Sequence, residues 1–286
     1  MSLSRRLFTG FNYIFLTLLT ISMIVPFANI LSQAFSSPAA IAQGRVSIWP
    51  VEFTLNNFQA VLSTGSIWRS FFVTVYITLL GTLLNLIFTS LMAYGLSKTD
   101  LRGRKVILLG VIFTMIFSVP MIPAYLLVKS LGMLDSLWAL MIPGLISGYN
   151  LIVMISFFMA IPKELMEASK IDGCGEYGTW WKIVLPLSLP SLSTIGLFYA
   201  VNHWNTYFSS LMYLRDPKLY PLQVKLRQML VENEVDDLTA NMSMVVQSPV
   251  GLTSATIIFA TVPILLVYPF LQKNFIQGSM LGSLKG

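Results

Sequence analysis

The sequence predicts an all-α membrane protein, a single transmembrane domain over 1–286 built on six transmembrane helices. Three observations carry that prediction. Of the 286 residues, 55% are hydrophobic and only 10% are charged, against about 25% charged in a soluble domain. The apolar residues form long continuous runs, each able to supply the roughly 20 residues with which a helix crosses a bilayer, and not the period-2 alternation of a barrel strand. Within those runs there is no Asp, Glu, Lys or Arg.

The first span is Phe11–Phe35. Arg5 and Arg6 before it and Ala40-Ile41-Ala42 after it mimic a cleaved secretory signal. The apolar run from Phe11 to Leu31 exceeds the roughly 7–15-residue core of such signals, so a retained signal-anchor helix is expected. The second to fourth spans are Ser70–Leu96, Val106–Val128 and Leu137–Ile161. The fifth, Val184–Leu214, begins with Pro186 and Pro190, which bend or open a helix. The sixth is Gly251–Leu271.

Six crossings put Ser36–Arg69, Lys129–Ser136 and Arg215–Val250 on one side of the membrane. The two termini, Ser97–Lys105 and Pro162–Ile183 fall on the other, where eleven basic side chains face five acidic ones. The first side holds seven of each. Basic residues concentrate on the cytoplasmic side, so both termini are expected inside. The net charge of +6 is then an orientation signal and does not point to nucleic acid.

Several function classes lose support. A single cysteine, Cys174, and a single histidine, His203, offer no disulfide framework and no zinc or iron site. No Gly-Lys dipeptide exists, so a P-loop is excluded, and no catalytic triad or carboxylate pair lies at membrane depth. Ion-coupled carriers need intramembrane acids or histidines, and only His203 is available, more simply read as a satisfied polar residue than as a proton relay. A transporter of this composition draws its energy from another polypeptide.

The stretch Glu164–Leu192 interrupts the hydrocarbon with acids, lysines, three glycines and two prolines. Pro162 ends the fourth span. Lys163–Ile171 reads as a short helix with Glu164 at the positive end of its dipole, and Asp172-Gly173 with Gly175 stops it. A second short helix follows, with Tyr177, Trp180 and Trp181 suited to the membrane interface. An interfacial amphipathic helix is the plainer reading, but it leaves the Asp-Gly turn and the spacing to Pro186 unexplained. A compact helix–turn–helix at the cytoplasmic face can instead be gripped and moved by a soluble motor.

These residues resemble the EAA loop of the membrane subunits of bacterial ABC importers. The pattern stands here as Glu167-Ala168-Ser169, Asp172-Gly173-Cys174 and Leu185-Pro186 with Pro190. Ser169 and Cys174 replace the usual alanines, small for small. "NNFQAVL", "LMAYGLSKTDLRGRK", "MIPAYLLVKSLGMLDSLWALMIP", "IPKELMEASKIDG" and "HWNTYF" resemble the carbohydrate class, and "SIWPVEFTLNNF" with the ending "GSMLGSLKG" resembles members that import complex oligosaccharides. The resemblance implies the type I importer permease fold. It makes 162–183 a cytoplasmic coupling loop, with Glu164, Glu167, Ala168, Ser169, Asp172 and Gly173 meeting an ATP-binding subunit. It also implies a second related permease subunit, two ATP-binding subunits that hold ATP and Mg while this chain binds no cofactor, and an extracytoplasmic solute-binding protein that delivers a sugar.

Sugars are bound by aromatic faces and by amides and hydroxyls. Asn202, Trp204, Asn205 and Tyr207 supply both types in the fifth span, with Asn202 and Asn205 on one face. Asn85, Asn150 and Tyr149 are further candidates. Intramembrane Asn also serves simply to join helices, and Trp204 could be an interfacial anchor. An ion-coupled secondary transporter and a non-transporting membrane scaffold remain the rival classes. The outer loops, including the acidic patch Glu232–Asp237, are solvated by default, and the resemblance favours contact with the solute-binding protein.

Overall fold

The computed structural model describes residues 3–231 and 248–283, and among these every regular element is helical. The patch Glu232–Asp237 and Lys285 in the carboxyl tail lie outside the described residues. Three described helices are long and apolar enough to cross a membrane: Leu7–Ala34, Gly65–Ser97 and Pro249–Leu266. Two bent pairs raise the count to five if each pair is one span.

The bends correct three of the expected continuous spans. In place of 106–128 stand Arg104–Ile116 and Met121–Ser130, at 118° to each other. Pro120 lacks an N–H and pushes its predecessor out of helical backbone, so the chain breaks there. Pro123 sits in the next first turn, where a missing N–H is tolerated. In place of 137–161 stand a single turn, Trp138–Met141, and the helix Gly148–Met159. Pro143-Gly144 and Ser147-Gly148 mark the non-helical segment between them. In place of 184–214, Glu176–Leu187 meets Leu189–Trp204 at 84°, and a separate helix, Phe208–Tyr213, follows. Pro186 and Pro190 flank the pivot at Ser188, as their chemistry predicts. Residues 180–184 form a π-helical turn just ahead of it.

Two compact units divide the chain: Met1–Trp68 with Lys225–Pro263, and Arg69–Val224 with Ile264–Gly286. In the first, the apolar side chains of the amino-terminal helix from Leu7 to Phe27 are exposed. Asn57 is fully buried and donates to Ala34 O at 3.0 Å and Ser36 O at 3.2 Å, closing the chain after that helix. Ser37 caps Pro38–Ala42 by accepting the Ala40 N–H.

The second unit holds the core relevant to function. Ala93, Leu96, Leu151, Met154, Phe158, Trp180, Val184 and Ile195 pack into one buried cluster. Lipid tails are as apolar as these side chains, so shape-matched dispersion contacts hold such a cluster together more than release of water does. Part of the non-helical backbone between Met141 and Gly148 is bonded by side chains from elsewhere in the fold. Asn85 Nδ2 donates to Gly144 O and Leu145 O, both at 2.8 Å. The Ser147 N–H donates to the Tyr199 hydroxyl at 3.0 Å, which also pairs with Thr89 Oγ1 at 2.8 Å.

Candidate functional site

The loop expected at 162–183 is a built object. Lys163–Ile171 is helical over the predicted residues, with Glu164 in its first turn and Lys170 in its last. Both complement the helix dipole. The helix stops in a Schellman motif: the Gly173 N–H donates to Lys170 O at 3.0 Å and the Cys174 N–H to Ser169 O at 2.9 Å. Gly173 sits at φ 79°, the left-handed region that glycine enters without a Cβ penalty. No heavy atom lies within 4 Å of where its Cβ would stand, so conformation and not space demands glycine.

Side chains join the two short helices. Ser169 is buried, and its Oγ lies 2.8 Å from the buried Thr179 Oγ1. A small hydroxyl where the pattern has alanine thus gains a partner. Glu164, Glu167 and Ala168 are exposed on the other side of the helix. Ile171 is 87% exposed and Tyr177 79%.

Glu176, not singled out by the sequence, is the electrostatic centre of the loop. Its carboxylate accepts from the Lys98 ammonium and from the Tyr94 hydroxyl at 2.7 Å, and faces Lys170 Nζ at 3.2 Å. Hydrogen bonds from Lys98, then from Tyr94, hold the carboxyl well below the usual carboxylate range. Lys98 is 78 residues away in sequence, and no local spacing announces such a partner.

The polar residues of the fifth span separate into two groups. Asn202 and Asn205 are exposed and Tyr207 is half-buried. Asn205 Nδ2 bonds back to Val201 O at 2.8 Å, and its Oδ1 receives Gln223 Nε2 at 3.4 Å. Trp204 is buried, edge-on to Phe71 at 6.2 Å between ring centroids, which places it in helix packing and not at an open boundary. Asn85 is fully buried. With its Nδ2 on two carbonyls, its Oδ1 must accept, so His203 carries its proton on Nε2, 2.6 Å away. Gly81, one turn earlier on the Gly65–Ser97 helix, makes room for that imidazole: a Cβ there would stand 2.6 Å from Nε2. Asn85 and His203 therefore join helices. Asn150 is buried, whereas Tyr149 is exposed beside Phe198, 6.5 Å between centroids.

No group of three His, Cys, Asp or Glu side chains suited to a metal ion occurs among the described residues. The arrangement offers an exposed, internally braced helix–turn–helix on one loop and a polar patch at the end of Leu189–Trp204.

Residues 90–279 match the family model described as binding-protein-dependent transport system inner membrane component. The chain is 42% identical over 289 residues to the polygalacturonan/rhamnogalacturonan transport system permease protein YtcP of Bacillus subtilis (strain 168), covering 99% of this chain and 100% of that one. It is 46% identical over 285 residues to Protein LplC of the same organism, covering 98% and 96%. A crystal structure of a bacterial ABC transporter involved in the import of the acidic polysaccharide alginate contains a chain that aligns with a TM-score of 0.90 and 34% identity, covering 96% of this chain and 99% of that one. The chain belongs to the binding-protein-dependent inner membrane component family, as a permease subunit of an ABC importer and not its ATPase.

Proposed function

We propose that this permease carries an oligosaccharide, cut from a larger polysaccharide, from an extracytoplasmic solute-binding protein into the cytoplasm. Support for a sugar comes from relatives named for polygalacturonan and alginate import, and for a delivery protein from the family's description as binding-protein-dependent. In this reading the chain forms half of the pathway and a second related permease the other half. It crosses the membrane six times with both termini cytoplasmic, the Trp138–Met159 stretch counting as the fourth crossing. Asn202, Asn205 and Tyr207 face the sugar.

The loop 162–183 is then the coupling loop, seated on one of two ATP-binding subunits that hold ATP and Mg. The carrying observation is the exposed face of a rigidly terminated helix, with Glu164, Glu167 and Ala168 outward and Ser169 locked inward. Closure of the ATPase pair on ATP pulls this loop and opens the bundle outward; hydrolysis resets it.

The test is a pull-down in mild detergent, comparing wild type with Glu167→Lys and Gly173→Pro. Wild type brings down an ATPase and a second permease, and the variants lose the ATPase while staying folded. Retention of the ATPase by both variants refutes the docking assignment. Uptake by the purified complex of oligogalacturonate against neutral arabino-oligosaccharide then decides the sugar, and transport of neither removes the oligosaccharide reading.

A further inference from the structure

Glu176 joins three pieces of the molecule. It begins the helix that follows the loop turn; Lys170 belongs to the loop helix before it; Tyr94 and Lys98 lie at the end of Gly65–Ser97 and just beyond. The anchorage is directional. Tyr94 is buried in the same core cluster as Trp180 and Val184, and the Lys98 ammonium lies over its ring, 4.5 Å from the centroid. Two of the three donors, Tyr94 and Lys98, come from the far segment and one, Lys170, from the loop itself, so the half-exposed carboxylate ties the two together.

Gly65–Ser97 is one unbroken helix. From Tyr94 to Asn85 is nine residues, about 13 Å along its axis. Asn85 there grips the Gly144 and Leu145 carbonyls of the broken segment. One rigid rod is thus tied to the loop at its end and to the break about 13 Å further on. The apolar joint of Trp180 and Val184 couples the same parts by shape, and Glu176 adds a polar tie with fixed donors to it.

We propose that Glu176 is a positioning residue of the transport cycle: it locks the loop to the Gly65–Ser97 helix, so that a pull on the loop reaches that helix and, through Asn85, the broken segment before Gly148. Without the lock the pull reaches that helix only through the apolar joint. This inference rests on the coupling-loop reading above.

The test uses the assembled complex with its ATPase. Nitroxide labels are placed at Lys163→Cys and Leu79→Cys in a Cys174→Ala background, both label sites being exposed. The inter-label distance is measured by pulsed electron resonance with and without a non-hydrolysable ATP analogue. With Glu176 present the distance stays the same in both states, because the loop and the helix move as one body. In Glu176→Gln the analogue shifts or splits it by about 5 Å, the scale of one helical turn. Tyr94→Phe with Lys98→Met, which removes the partners on the Gly65–Ser97 side and leaves Glu176 intact, reproduces the Glu176→Gln result, which general damage at residue 176 would not do. An unchanged distance in Glu176→Gln overturns the proposal, as does a parent protein whose distance itself shifts with nucleotide. Failure of the coupling-loop reading is seen separately, as retention of the ATPase by both Glu167→Lys and Gly173→Pro.

Discussion

Gly81→Ala tests a close contact between Gly65–Ser97 and Leu189–Trp204. The added Cβ would stand 2.6, 2.8 and 2.9 Å from three atoms of the His203 ring. His203 is buried, 8% exposed, and bonded to Asn85, so the ring cannot swing into open space. Overpacking of this kind costs about 1–3 kcal/mol. Displacing the ring also breaks the bond to Asn85, worth about 0.6 kcal/mol and up to about 1.7 between membrane helices. The expected loss is about 2–4 kcal/mol, or a melting temperature lower by roughly 5–10 °C in detergent. Gly95→Ala on the same helix is the control. Nothing lies within 4 Å of its Cβ, so the better helix propensity of alanine should leave stability unchanged or raise it by up to about 1 kcal/mol. Thermal unfolding followed by tryptophan fluorescence compares the two. A double-mutant cycle with His203→Ala isolates the clash, since without the ring Gly81→Ala should cost almost nothing. Equal effects of Gly81→Ala and Gly95→Ala, or no coupling to His203, would refute the packing argument.

Other outcomes follow from the same geometry. Tyr199→Phe removes the acceptor of the Ser147 N–H and the partner of Thr89; leaving buried polar groups unpaired costs about 1–3 kcal/mol, seen as faster amide exchange over residues 142–148, and unchanged exchange there counts against the clamp. Gly173→Ala forces a side chain into left-handed backbone at about 1–2 kcal/mol, so the complex should release its ATPase at lower detergent or salt stress than wild type; an equally firm complex would deny the Schellman turn a role. Asp135 accepts the backbone N–H groups of Asp216 and, next, Arg215, which hold its carboxyl below the usual range. A depressed folded-state pKa gives stability that is present above about pH 4 and lost as pH falls further through the folded value. Wild type should therefore lose stability below about pH 4 more steeply than Asp135→Asn, and parallel acid profiles would refute the assignment.

Much of the loop was legible in the sequence because its determinants are local. Pro162, the Asp172-Gly173 stop and the Pro186–Pro190 pair act through the backbone of their immediate neighbours, and the helix Lys163–Ile171 starts and ends where they place it. Helical state and apolar runs were legible for the same reason: hydrocarbon demands that each segment satisfy its own hydrogen bonds. The continuity of the third, fourth and fifth spans was not. Hydropathy is blind to a bend, because Phe117–Pro120 and Ile142–Ser147 are as apolar as the helices they separate. Whether such backbone stays open depends on hydrogen-bond partners from elsewhere, here Asn85 as donor and Tyr199 as acceptor, 60 and 52 residues away.

The sequence by itself determined the solvent, the helical class, the polar loop and its turn, since each follows from composition or from contacts within a few residues. The tertiary structure decided which polar residues are spent inside the fold. Asn85 and Asn205 look alike in sequence, yet one is sealed against two carbonyls and an imidazole while the other is exposed at a helix end. It also decided that Glu176 is the knot of the loop. A carboxylate has no preference among lysines until the fold brings Lys98, Lys170 and Tyr94 to it, and only then does its charge acquire a fixed place.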